Sequence, residues 1–337
     1  MKNAIQFALL PALALLCAAS APAQPAADPF IGRWALDLPN GGAGWLGIDK
    51  DKGYLDGSVL WYGGSVVPVD AVYMDDSTLC AVRLKEVERK DAAGKVAAKQ
   101  TFPETLSCTV NGDELKGVRT NPKADGTGVE KVEFTGRRIP PLPPAPDLSK
   151  VKFGKPVKLF NDKNLKGWKL MGLAKNGWSV SRGVLTNDPK QEEGKPHISY
   201  GNLRTEKEFE DFNLSFDVNM AKDGNSGVYL RGVYEVQMLD SFGKPIDTHN
   251  MCSIYSRIAP LVSAEKPAGE WQHVDITLVD RHVTVKLNGQ LVIDNAPLPG
   301  CTGGAMWSDE FRPGPLYLQG DHSGVSYRNM VLRPVVK

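Results

Sequence analysis

The sequence predicts an all-β chain of two units: a small antiparallel β-barrel or β-sandwich, then a larger sandwich of jelly-roll type. Three observations predict this. Apolar and polar residues alternate at period two in many short runs separated by Gly and Asn turns, as half-buried antiparallel strands require. No helix-period stripe interrupts residues 28–138. Between the units, residues 139–146 (Ile139-Pro140-Pro141-Leu142-Pro143-Pro144-Ala145-Pro146) hold five prolines in eight positions. Such a stretch cannot donate to a sheet ladder and favours extended polyproline geometry, which predicts a stiff linker over 139–155. A length of 337 residues suits two domains.

In order along the chain, Lys2 precedes an apolar run from Phe7 to Ala19, and Ala21-Pro22-Ala23 has the small-x-small pattern of a signal-peptidase site. The run is too short to span a bilayer, so residues 1–23 are expected to be a cleaved secretory signal and the mature protein periplasmic or extracellular. A lipoprotein anchor at Cys17 is disfavoured by Leu16, where a small residue is expected. From 28 to 138, Gly32-Arg33-Trp34 opens the first strand, and Val59–Tyr62 and Val66–Val69 follow. The charged, Ala-rich stretch 91–99 is expected at an exposed hairpin tip, and Asn111-Gly112-Asp113 is a turn. Roughly seven strands result, with Trp34, Trp45 and Trp61 in the barrel core.

In the second unit, 156–335, Phe212, Leu214, Phe216 and Val218 alternate with polar residues, as do Val274, Ile276 and Leu278. Val283, Val285 and Leu287 run into the turn Asn288-Gly289, and Leu316 and Leu318 alternate with Tyr317 and Gln319. This patterning fits two antiparallel sheets packed face to face, with polar side chains of a concave sheet lining a groove. Trp168, Trp178 and Trp271 are expected in the core.

Setting residues 1–23 aside removes Lys2 and leaves 39 basic against 39 acidic side chains. That balance argues against nucleic acid or an anionic membrane as partner and suits a neutral ligand such as carbohydrate. No second apolar stretch is long enough to span a membrane. Four cysteines remain, and Cys80 and Cys108 sit on alternating apolar faces where they would either pair across strands or stay buried as thiols. No spacing typical of zinc occurs.

The richest stretch is 226–241, SGVYLRGVYEVQMLDS. It reads as two strands with Tyr229, Arg231, Glu235 and Gln237 on one face, closed by Asp240. Aromatic, guanidinium, carboxylate and amide groups within so few residues are the polar inventory of a sugar-binding cleft.

Several ordered blocks over about 156–335 resemble the 3-keto-disaccharide hydrolase domain family, long filed as a domain of unknown function, with a concanavalin A-like lectin/glucanase fold. They are residues 158–168 (KLFNDKNLKGW), 225–232 (NSGVYLRG), 234–241 (YEVQMLDS), 266–271 (KPAGEW), 314–322 (GPLYLQGDH) and 327–330 (YRNM). The resemblance implies action on sugars already oxidised at C3. A ketone there acidifies the C2 hydrogen, so a modest base removes it, and the glycosidic oxygen on C1 leaves by β-elimination, with water adding later.

That chemistry asks for a base near neutral pKa, donors for the enolate oxygen and an acid for the leaving group. His322 is the first choice of base, since histidine ordinarily titrates at roughly 6.5 and this one follows the strand ending at Gln319. Glu235 and Asp240 are the alternative acid or base, against a plain ion pair with Arg231. Arg231, Gln237 and Gln319 are candidate substrate ligands, Tyr229 and Tyr317 candidate stacking platforms, and His249 a candidate at the rim. No metal site or cofactor is identified, although His322, Glu235 and Asp240 are also good ligands for a divalent cation. Asp223-Gly224-Asn225 reads as a turn rather than a calcium loop. Two rivals stand beside this reading. A direct glycosidase would use the glucanase-like spacing Glu235, Gln237, Asp240, weakened because Gln237 is an amide. A non-catalytic, lectin-like binding protein would need only the groove.

Overall fold

The computed structural model describes residues 27–39, 41–172 and 175–336; the expected signal segment and Cys17 lie outside them. Apart from single 3-10 turns at Asp28–Phe30 and Leu148–Lys150, the regular structure described is β. No helix among the described residues is long and apolar enough to cross a membrane.

Strands β1 (Gly32–Asp37), β2 (Ala43–Asp49), β3 (Asp56–Trp61), β4 (Val67–Pro68) and β5 (Ala71–Asp75) are followed by β6 (Thr78–Lys90), β7 (Val96–Asn111), β8 (Glu114–Pro122) and β9 (Val129–Ile139). They form one antiparallel sheet in the order β4-β3-β2-β1-β9-β8-β7-β6-β5. Its two edges belong to one stretch of chain. β4 pairs with β3, the Asp70 N–H then donates to Val82 O, and β5 pairs with β6. The sheet thereby closes on itself around Trp34, Leu36, Leu46, Val59, Leu79, Leu106 and Phe134. The sheet has nine strands where patterning indicated about seven, and the expected strand at Val66–Val69 is the short β4. Turn 91–95 tips the long β6–β7 hairpin, and Asp91 Oδ1 accepts from the Ala93 and Lys95 N–H groups. The four described cysteines are free and buried. Cys80 and Cys108 do not pair because the β6–β7 register sets Leu79 opposite Cys108 and Cys80 opposite Ser107, so the two thiols point to opposite faces.

The second unit begins with β10 (Val157–Lys158), β11 (Trp168–Leu170), β12 (Trp178–Ser181), β13 (Val184–Asn187), β14 (Leu203–Phe209), β15 (Phe212–Met220) and β16 (Asn225–Leu230). It continues with β17 (Tyr234–Leu239), β18 (Trp271–Val279), β19 (His282–Leu287), β20 (Gln290–Pro297), β21 (Gly314–Leu318) and β22 (Val325–Pro334). The larger sheet runs β12-β13-β22-β15-β18-β19-β20 with β10 beside β22, and the smaller runs β11-β14-β21-β16-β17. Phe212, Leu214, Phe216 and Val218 of β15 and Val274, Ile276 and Leu278 of β18 meet Val228, Leu230, Val236, Met238, Leu316 and Leu318 in one core. This is the two-sheet sandwich of the jelly-roll class. Trp168 and Trp178 are in that core, whereas Trp271 is half-buried on the outside with Arg328 stacked over it, at 4.0 Å.

The two units share apolar contact. Ala35, Ala43, Trp45, Leu60 and Ile139 of the first join the sandwich core, so Trp45 belongs to the junction rather than the barrel interior. Its Nε1 donates to Pro299 O at 3.0 Å, and Arg257 lies over its ring at 4.4 Å. Ser308 Oγ accepts from Gly44 N and donates to Leu36 O. The proline stretch is a strap and not a spacer: Pro140 and Pro141 carbonyls accept from Arg281, and Pro146 O accepts from Asn295.

Candidate functional site

Because Val228, Leu230, Val236, Met238, Leu316 and Leu318 face the core, the period of two puts Gly227, Tyr229, Glu235, Gln237, Tyr317 and Gln319 on the outer face of the smaller sheet. Register brings them together: Tyr229 is opposite both Glu235 and Tyr317, and Gly227 is opposite Gln237. A strand face this polar would ordinarily stand in water. Here it is covered, and β16 and β17 are buried almost throughout. Segment 252–254 pairs along the free edge of β17 through Gln237 and Val236. Thr302 reaches over to accept from Glu235 N at 2.8 Å.

What remains open is a pocket of about 260 Å³ lined by Asn225, Tyr229, Glu235, Gln237, Tyr255, Gly303, Gly304, Gln319 and His322, with Gly63 and Gly64 of the first unit. A wider depression of about 740 Å³ on the first unit, lined by Leu38, Val118 and Phe134 among others, lies away from all these groups.

Glu235 is 3% exposed. Burial pushes its carboxyl up to about 8, against the pull of the Tyr229 hydroxyl, and the nearby Asp321 charge adds to the rise. The Tyr229 hydroxyl oxygen lies 2.6 Å from Glu235 Oε2 and 2.5 Å from Gly303 O. A phenol has one proton and cannot donate to both. Both contacts become hydrogen bonds when Glu235 is protonated and donates to Tyr229, which donates on to Gly303. Hydrogen bonding and burial therefore agree on a neutral acid at pH 7. Space for this carboxyl comes from Gly227, where a Cβ would overlap Glu235 Oε1.

Gln237 donates through Nε2 to Asn225 Oδ1 at 3.0 Å, which leaves its Oε1 buried without a partner. Gln319 Oε1 and Asp321 Oδ1 are likewise buried and unpartnered. An orphaned buried acceptor costs about 1–3 kcal/mol, so the two glutamine oxygens, whose residues line the pocket, await donors such as sugar hydroxyls. The His322 imidazole lines the pocket, partly exposed, with Nδ1 3.7 Å from Asp321 Oδ1.

The structure thus gathers Glu235, Gln237, Tyr229, Gln319 and His322, and separates the other sequence candidates. Asp240 lies outside the pocket, its Oδ2 accepting from Asp223 N at 2.8 Å to hold the turn before β16. Arg231 is in the turn after β16, with φ +57°, and its guanidinium donates to the carbonyls of Glu310 and Arg312 rather than to a carboxylate. Tyr229 and Tyr317 stack on each other, centroids 3.9 Å apart, which covers one face of each ring, and both residues are buried rather than open as platforms for a sugar. His249 is not a lining residue; its Nε2 is 3.0 Å from Ser65 Oγ, outside the pocket wall. Among the described residues no three His, Cys, Asp or Glu side chains are placed to hold a metal, and Asp240 does not join His322 and Glu235. Sequence reading missed Tyr255, Gly303, Gly304, Asp321 and the Gly63-Gly64 pair. Asp321 was signalled by its place beside His322, whereas the loop residues carry no local pattern.

The profile of a 3-keto-alpha-glucoside-1,2-lyase-like domain matches residues 155–333. No curated protein matches the chain. Among solved structures the chain is similar to a "putative glycosyl hydrolase" of Parabacteroides distasonis, 28% identical over 58% of this chain and 93% of that one, TM-score 0.43. A second protein so named from the same organism is 21% identical over 54% of this chain and 94% of its own, TM-score 0.42. A β-glucanase of Bacillus licheniformis is 12% identical over 55% and 97%, TM-score 0.36.

Proposed function

The chain belongs to the 3-keto-alpha-glucoside-1,2-lyase-like domain family through residues 155–333, and we propose that it is an enzyme cleaving 3-keto-glycosides by proton abstraction at C2 and β-elimination of the C1 oxygen. The coarser statement, that the domain is carbohydrate-active, follows from the family. The observation that carries the finer one is a buried, neutral Glu235 in a pocket that also holds two unpartnered buried acceptors, Gln237 Oε1 and Gln319 Oε1.

In this mechanism His322 takes the C2 proton, and the C–H electron pair becomes an enolate spread over C2, C3 and the C3 oxygen. The enolate collapses to restore the C3 ketone and form the C1=C2 bond while the C1–O bond breaks. Glu235, kept protonated by its burial, turns its proton from Tyr229 to the departing oxygen and ends as the carboxylate. Gln237 Oε1 and Gln319 Oε1 accept from the ring hydroxyls and orient C2 toward the base. Water adding across C1=C2 converts the 2-hydroxy-3-keto-glycal to the free keto-sugar. The glucanase-like alternative loses its support, because Gln237 is an amide and Asp240 is outside the pocket.

The test incubates purified protein with a 3-keto-glucoside and with the unoxidised glucoside, following the released alcohol and the enone absorbance. Only the keto-sugar is expected to react, and His322→Ala is expected to lower its kcat roughly 10²–10⁴-fold. Turnover of the unoxidised sugar alone rules out elimination. Full activity in His322→Ala removes His322 as the base.

A further inference from the structure

Two residues of the pocket wall come from outside the family-matched segment. Gly63 and Gly64 lie in the connection between β3 and β4 of the first unit. This turn is fixed from both sides. Within its own unit, Tyr62 takes φ +67°, donates its hydroxyl to Pro39 O, and fills with its ring the space a side chain at Gly42 would need. Across the junction, the Val66 N–H donates to Ser256 Oγ at 2.8 Å and Ser256 Oγ contacts Val66 O at 3.3 Å. Ser65 Oγ meets His249 Nε2 at 3.0 Å, which gives that histidine a function in holding the wall. The Gly64 backbone is seated so closely on Gly303 that a Cβ at 303 would overlap the Gly64 carbonyl. The approach requires glycine at 303, while Gly64 is a glycine for its φ of +78°, and the two segments meet with no channel between them.

We infer that the Tyr62–Val66 turn is the specificity-determining wall of the pocket and restricts it to an oxidised sugar ring at a chain end. The inference rests on the sugar-cleaving reading above and adds to it the choice of substrate. The size of the site supports it: about 260 Å³ is below the roughly 300–1,000 Å³ of pockets that enclose drug-sized ligands. One ring with its leaving oxygen fits, and an oligosaccharide threaded past Gly63 does not. Open clefts that grip a polymer internally need two open ends, and the first unit closes one.

The experiment compares two trisaccharides, one oxidised at C3 of its terminal non-reducing ring and one at C3 of its middle ring. Wild-type kcat/KM is expected to be at least about a hundredfold higher for the terminal ketone. A Cβ at Gly63 meets nothing within 4 Å and needs no unusual φ, so a substitution there starts in open space. Gly63→Phe is expected to raise KM for the terminal ketone roughly tenfold or more with kcat within about threefold, at an unchanged melting temperature. Equal turnover of the two trisaccharides, or a Gly63→Phe variant with wild-type KM, overturns the inference. Wild-type turnover of the terminal ketone by itself reads the proposed function, while the ratios between substrates and between variants read the wall.

Discussion

With the Glu235 carboxyl neutral up to about pH 8 in the folded protein, folding stability and pH are linked at this one residue. An unfolded glutamate titrates near 4.5, so between these values the folded state binds the extra proton. The contribution is present in full below 4.5 and is lost as pH rises through about 8. At about 1.4 kcal/mol for each pH unit of full difference, the loss across the window is several kcal/mol at most. Glu235→Gln keeps the shape and has no proton to lose. It is expected to melt above wild type at pH 8–9, with the advantage vanishing near pH 4.5, while turnover falls at least about a hundredfold. Thermal denaturation across pH checks this, and parallel curves for the two proteins contradict it. Glu310, buried beside Tyr234, is also pushed up by burial, so the variant removes only the Glu235 share of the slope. At this scale the sequence was legible where alternation continued. Glu235, Gln237 and Gln319 fall on one face by counting in twos, but the count fails at Arg231 because β16 ends at Leu230, and Asp240, which only closes the run, lies beyond the end of β17. Sequence alone does not report that Tyr229 and Tyr317 become register partners and cover each other.

Strands β16 and β17 work as a pair because one of them gives up a side chain for the other. Gly227 has an ordinary backbone conformation, so its glycine is required by the Glu235 carboxyl and not by φ. Gly227→Ala is expected to push that carboxyl off its rotamer, lowering kcat roughly 10–100-fold at a stability loss of about 1–3 kcal/mol. Turnover and urea denaturation measured together check it, and wild-type kcat would mean the carboxyl has another place to go. The apolar faces of β15, β18, β19 and β21 were readable from period two, since a half-buried strand writes its buried side into the sequence. The burial of the opposite face of β16 and β17 was not readable. It is imposed by segments 252–254, 301–305 and 63–64, which are distant in sequence and carry no periodicity of their own. For the same reason the proline stretch was recognisable as extended but not as docked: its contacts are made by carbonyls, which every residue has.

At the scale of the whole molecule, Trp45 ties the barrel to the pocket. Its ring occupies the space a side chain at Gly300 would need, its Nε1 holds Pro299 O, and Arg257, stacked on it, donates to Cys301 O. The next residues, Gly303 and Gly304, line the pocket. Trp45→Ala is therefore expected to cost about 3–5 kcal/mol of stability and also to lower kcat/KM roughly tenfold, although Trp45 touches no substrate. Denaturation and kinetics on the same preparation test the coupling, and a destabilised variant with unchanged kcat/KM would break it. The shared core also imposes a timetable on biosynthesis. The face carrying Ala43, Trp45 and Leu60 is made early, and its partners around Cys301 and Ala305 follow some 240 residues later. At roughly 5–20 residues per second, the barrel waits about 12–50 s with that apolar face uncovered. The nascent chain thus offers a binding surface to a holdase that the finished protein does not have.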